Sequence, residues 1–244
     1  MDNFKQDIYQ RYVTTHLAER KGVPTLDEFR VRARIYDQQF RRFLPLQKSA
    51  RLLDIGCGCG SIVWWLQQQG FSNAMGIDIS EEQVESGRRL GVNNLICGEL
   101  IDFLEANPKS FDVIVARDVV EHFNKQDVMT LMTRCYSALQ GGGKLLLQVP
   151  NGESPFFGRI RYGDFSHEVA FTQSSLSQIL KLSGFDKAQC YSASPIFCGA
   201  RSLIRVSVWK IIEMFYRFAL YAELGRENLP RIVTQNIIAV ASKI

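Results

Sequence analysis

Three glycines at alternate positions, Gly56, Gly58 and Gly60, follow the apolar run Leu52-Leu53-Asp54-Ile55. Glycine adopts backbone angles that a Cβ forbids, so such a loop turns tightly and lets the main chain come close to a ligand. About twenty residues further on, Asp78 closes the strand-like Met75-Gly76-Ile77-Asp78-Ile79, where a carboxylate can accept hydrogen bonds from two ribose hydroxyls. Loop and carboxylate together read as a nucleotide-cofactor cradle. The spacing is not the dinucleotide one, because Ser61 stands three residues after Gly58, where that fingerprint needs glycine.

The elements that must hold these residues alternate short apolar strands with helices. Strands are expected at 51–55, 74–79, 95–97, 111–116 and 144–149, with helices at 61–69, 81–90 and 125–139 and a helical turn around 100–106. Ser80 is the expected N-cap of the second of these helices, and Gly141-Gly142-Gly143 the turn after the third. This alternation predicts a parallel sheet covered on both faces. Upstream, 4–20 and 25–44 have helical spacing; the second opens at Thr25 with Glu28 three residues on, and Phe29, Ala33, Tyr36, Phe40 and Phe43 form one face. Downstream, 174–182 is an expected helix, 188–192 a strand, 201–222 a long apolar helix and 231–241 a closing strand.

Composition bounds the rest. With 244 residues, 46% apolar and 22% charged, the chain can bury one good core. No run of eighteen uncharged apolar residues occurs and the N-terminus lacks a signal-like apolar stretch, so a cytoplasmic protein is expected. The six cysteines form no repeated CxxC or Cys/His cluster, so reduced thiols and no bound metal are expected. The net charge of +4 is uneven: residues 1–50 hold ten Lys/Arg against six Asp/Glu, and residues 201–244 seven against three. The ends thus carry +8 and the middle −4, which points to an acidic partner or to solvated helix faces.

From Arg51 to about Phe185 the chain resembles the class I S-adenosylmethionine (SAM) dependent methyltransferases. The motifs stand in the family's order: Asp54-Ile55-Gly56-Cys57-Gly58-Cys59-Gly60, Gly76-Ile77-Asp78-Ile79-Ser80, Cys97-Gly98-Glu99-Leu100, Phe111-Asp112-Val113-Ile114, Arg117-Asp118-Val119-Val120-Glu121-His122-Phe123, Leu139 to Leu145, and Val149-Pro150-Asn151. The resemblance implies a Rossmann-like α/β fold with a seven-stranded, mainly parallel sheet. Its antiparallel last strand would slot between the fifth and sixth. An N-terminal helical cap (1–48), a SAM-binding core (49–195) and an inserted helix with closing strand (196–244) would make up the chain. The glycine loop would surround the methionyl part of SAM, Asp78 with Ile79 would hold the ribose, and Glu99 and Leu100 would border the adenine. The family more often has Asp where Glu99 stands. Arg117 and Asp118 follow the fourth strand, at the sheet edge where such folds bind ligands. SAM carries a sulfonium and an ammonium, so Asp54 is a favourable floor; its other reading is a carboxylate that only bonds loop amides.

Methyl transfer asks mainly that the acceptor be held in line, while an alcohol acceptor also benefits from a general base. Of the histidines, His16 lies in the first helix and His122 follows strand four, where it closes over the cofactor or starts a helix. His167 lies in Tyr162 to Thr172, after strand five, and is the candidate base, or else a shaper of that loop. Asp164, Glu168 and Asn151 are candidate acceptor contacts. The segment from Val149 to Thr172 is similar to that of methyltransferases of bacterial cell-surface polysaccharide assembly, which implies a sugar or glycan hydroxyl. A quinone or other lipophilic acceptor and a SAM-binding scaffold without catalysis are the alternatives. Nucleic acid is not an expected partner, because basic residues form no stripe with aromatics. The helix 201–222 is apolar nearly all round with four basic residues, and reads as buried core, homodimer interface or membrane-surface helix.

Overall fold

A computed structural model describes Ile8 and residues 24–195 and 199–244. Apart from Ile8, the expected helix 4–20, with His16, lies outside the described residues. Helix α1, Leu26–Gln39, starts where Thr25 accepts a hydrogen bond from the Glu28 amide, as its spacing predicts. It stops short of the expected 44: a 3-10 turn over Arg41–Phe43 leads into Pro45.

The chain then alternates β1 (Leu52–Ile55), α2 (Ser61–Gln68), β2 (Ala74–Asp78), α3 (Glu81–Arg89), β3 (Leu95–Cys97), α4 (Leu100–Ala106), β4 (Phe111–Arg117), α5 (Lys125–Ala138) and β5 (Leu139–Pro150). After these come α6 (Phe157–Arg161), α7 (Gln173–Leu182), β6 (Lys187–Ser192), α8 (Ala200–Leu224) and β7 (Asn236–Ser242). The seven strands form one sheet in the order β3-β2-β1-β4-β5-β7-β6. β1 to β5 pair in parallel and β7 runs antiparallel between β5 and β6, the expected topology.

Strands covered on both faces must be apolar on both, and β1 is buried at all four positions. One face packs on α1, α2 and α3 through Phe29, Tyr36, Trp65 and Leu66. The other packs on α4, α5 and α7 through Leu104, Leu131, Met132 and Leu180. The carboxyl ends of β1, β2 and β4 therefore converge on one rim, between these layers.

Three expectations are corrected. Gly141-Gly142-Gly143 lies inside β5 and is no helix cap: Leu139 already pairs with Phe111, and the pairing shifts register between Phe111 and Val113. The closing strand starts at Asn236, not 231. Ile232 and Thr234 are buried like strand residues, but the side-chain amide of Asn151 takes their carbonyls, so no neighbouring strand pairs there. Finally, α8 is not a core helix. Ile204, Met214, Phe215 and Phe218 are 60–70% exposed, and its ties to the described body are few: Tyr216 donates to the Glu153 carbonyl, Arg217 to the carbonyls of Pro230 and Arg231, and Trp209 meets Phe156. No described helix is long and apolar enough to cross a membrane.

Candidate active site

The glycine loop leaves β1 with φ of +63° at Gly56, +54° at Gly58 and +77° at Gly60, all in the region that favours glycine. At Gly56 space is lacking as well, since a Cβ there would stand 2.4 Å from Cγ2 of Val119. The loop is fastened from β2. The Cys57 amide donates to the Ile77 carbonyl at 3.0 Å, and the Gly58 amide to Oδ2 of Asp78 at 2.7 Å. The other oxygen of Asp78 accepts from the Ser80 amide at 2.8 Å, while the Ser80 hydroxyl caps α3 as expected. Burial pushes the Asp78 carboxyl above its ordinary pKa, and the amides of Ser80, Gly58 and Ile79 pull it back.

A cavity of about 220 Å³ opens on the loop, lined by Gly56 and Gly58 on one side and by Asp54, Arg117 and Asp118 at the strand ends. Asp54 is only 2% exposed. Burial raises its pKa well above the carboxylate norm, the charge of Asp78 adds to this, and Arg117 opposes it. Arg117 pairs with Asp118 at 3.0 Å and lies over the ring of Tyr36. Asp118 has φ +57°, rare for a residue with a side chain, and Gln148 pins it by accepting its amide hydrogen and donating to its Oδ1. Ile79, Glu99 and Leu100 lie at the neighbouring ends of β2 and β3, where Asp78 pairs with Cys97; Leu100 is buried and Glu99 exposed.

The fourth wall is α1, which sequence reasoning read as part of an N-terminal helical cap. Phe29, Arg32 and Tyr36 line the cavity, and the Tyr36 hydroxyl meets the Ser61 hydroxyl at 2.8 Å. Gln83, in the first turn of α3, lines it too. The only available signal was helical spacing, which marks a buried face without saying what the face touches.

Beyond Asp118 the chain makes a 3-10 turn over Val120–His122. The loop after β5 folds onto it, its Glu168 and Val169 amides donating to the Glu121 carbonyl at 2.7 and 3.2 Å. This brings the His122 and His167 rings edge to face, 4.7 Å between centroids. His167 donates its Nδ1 hydrogen to the Ile160 carbonyl at 3.0 Å, which leaves the lone pair on Nε2. Burial lowers its pKa, with Asp164 opposing. His122 Nδ1 lies 2.9 Å from the Ser166 hydroxyl, which is 2.5 Å from Asp164 Oδ1. Glu121, which sequence reasoning did not single out, is 1% exposed beneath both histidines, and burial together with Asp118 raises its pKa. Asn151 is fully buried: its side-chain amide donates to the carbonyls of Ile232 and Thr234 and its Oδ1 accepts the Glu153 amide, so the side chain fastens the strand ends.

The family described as a methyltransferase domain matches residues 29–189. The chain belongs to that family. Among relatives of the chain, the ubiquinone biosynthesis O-methyltransferase of Neisseria meningitidis serogroup C is 28% identical over 110 residues, 43% of this chain and 45% of that one. The phosphoethanolamine N-methyltransferase of Plasmodium falciparum is 31% identical over 107 residues, 43% of this chain and 40% of that one. The chain thus spans about half the length, or less, of the curated relatives it matches. In structure, the chain resembles a SAM-dependent methyltransferase of Archaeoglobus fulgidus, with TM-score 0.64, 22% identity, and 89% and 97% of the two chains covered. It also resembles the Haemonchus contortus phosphoethanolamine N-methyltransferase 2 solved with phosphomonomethylethanolamine and S-adenosylhomocysteine, with TM-score 0.58, 18% identity, and 96% and 60% covered.

Proposed function

We propose that this methyltransferase uses SAM to methylate a hydroxyl of a small-molecule acceptor. The observation that carries the reading is the carboxylate-floored cavity beside the glycine loop. SAM fits the residues present. Asp78, whose oxygens accept the Gly58 and Ser80 amides, stands at the end of β2 as the acceptor for a ribose hydroxyl. Asp54 faces the cavity from a buried site, where a cation offsets the cost of its charge. Gly56 offers main chain without a Cβ. Glu99 and Leu100 border the adenine edge. When bound, SAM supplies an electrophilic methyl on a sulfonium, so the protein's task is to position the acceptor and take its proton.

His167 is the residue for that proton. Its Nδ1 hydrogen is engaged by Ile160, and burial keeps the ring uncharged near neutral pH, so Nε2 offers a lone pair. Asp164 holds Ser166, and through it His122; with the exposed Glu168 it marks the acceptor side. A sugar or glycan hydroxyl rests on the form of the 149–172 segment. A lipophilic hydroxyl, such as that of a quinone precursor, draws support from the exposed apolar face of α8, whose Trp209 meets Phe156 in the segment after β5.

The test is methyl transfer from labelled SAM to a panel containing a sugar nucleotide, a demethylated quinol and phosphoethanolamine. Label in a hydroxyl acceptor is expected, and label in the amine alone would overturn the assignment. With the accepted substrate, His167→Ala should lose ~10²–10⁴ in turnover while SAM binding is kept.

A further inference from the structure

Glu121, His122 and His167 each offer one ligand atom, and all three atoms lie within 4.8 Å of one another. Two come from the turn after β4 and one from the loop after β5, so the grouping arises from folding. Glu121 is 1% exposed, and its Oε2 has no hydrogen-bond partner among the described residues. A buried carboxylate oxygen left bare is costly, and a positive partner removes the cost. The histidines are oriented as metal-binding imidazoles generally are, each with one ring nitrogen engaged by a fixed group: His167 by the Ile160 carbonyl, His122 by the Ser166 hydroxyl, which Asp164 holds in turn. We propose that Glu121, His122 and His167 form a binding site for one divalent first-row transition-metal ion such as zinc.

The donor set selects the ion. Two imidazoles and one carboxylate suit zinc, cobalt, iron or manganese, whereas magnesium and calcium prefer oxygen donors throughout. Three protein ligands leave a coordination position open for water or an acceptor oxygen. An ion at Nε2 of His167 takes the lone pair assigned above to the acceptor's proton. Base and ligand are then two states of one side chain, separated by whether turnover needs the ion.

The site goes beyond the methyl-transfer reading, because it is measured with neither donor nor acceptor present. Chelator-treated protein is titrated with cobalt(II) and followed by absorption. One equivalent should bind with visible d–d bands and no near-ultraviolet thiolate band, since nitrogen and oxygen are the donors. Glu121→Gln and His167→Ala, each checked for folding by circular dichroism, should weaken binding at least about tenfold, and Cys97→Ser should not change it. His167 is only half-buried, so that variant stands even where the Glu121 variant does not fold. No cobalt bound at large excess, a thiolate band, or affinity unchanged in a folded His167→Ala protein would overturn the site. SAM titration of the same chelated protein tests the donor cavity separately.

Discussion

The Gly58 amide donates to the Asp78 carboxylate at 2.7 Å across twenty residues of chain. The carboxylate proposed to hold the ribose is thus also the clasp of the glycine loop. Asp78→Ala should therefore weaken SAM binding by roughly 2–4 kcal/mol, since it removes charge-assisted acceptors and frees the loop. Asp78→Asn keeps one acceptor oxygen and should lose less. Calorimetric titration of the two variants checks the order, and unchanged SAM affinity in folded Asp78→Ala would remove the residue from the site.

Gly56 separates space from backbone conformation. Gly56→Ala places a Cβ 2.4 Å from Val119 Cγ2 and holds alanine at φ +63°. The left-handed angle alone costs about 1 kcal/mol, and the clash adds to it. Pairing it with Val119→Ala removes the clash and leaves the angle, so chemical denaturation should show the double variant losing less than the sum of the singles. Additive losses would mean that Val119 moves aside freely.

Asp54 links donor binding to pH. Its raised folded pKa means that it holds a proton to higher pH than an exposed carboxylate does, so its contribution to stability is present at low pH and lost as pH rises through the folded value. A cationic ligand favours the ionised form. SAM binding should thus release protons and tighten as pH rises through the folded pKa, levelling off above it. Calorimetry in two buffers of different ionisation enthalpy measures the release, which should vanish in Asp54→Asn; equal release in both proteins would locate the proton elsewhere.

How much of this was legible follows from where the causes lie. β1, β2, β4 and the second half of β5 were readable because strands buried on both faces must be apolar runs, and the glycine loop because its backbone needs leave a mark in composition. The start of β7 was not: Ile232 and Thr234 look like strand residues, but their carbonyls are taken by Asn151, some eighty residues away. Tyr36 and Phe29 announced a buried face and not a cavity wall. Glu121 stood in view within Val119-Val120-Glu121-His122-Phe123, but its burial depends on the loop around Glu168 closing over it. No local pattern encodes that closure.

Helix α8 yields the last prediction. Phe215 and Phe218 are 65% and 70% exposed, and the helix is tied to the described body chiefly through Trp209, Tyr216 and Arg217. Phe215→Glu with Phe218→Glu should therefore leave the thermal midpoint within about 2 °C of wild type, because neither side chain contributes to the two clusters that cover the sheet. Arg217→Ala should cost more, as it removes donors to the Pro230 and Arg231 carbonyls just before β7. Apolar surface of this extent is normally covered by something. The double Glu variant therefore also sorts the two covers apart: sedimentation velocity detects loss of a dimer, and co-sedimentation with anionic vesicles detects loss of lipid binding, which salt should weaken as well. A midpoint lowered by more than about 5 °C, with neither association changed, would mean that the face packs within the chain itself.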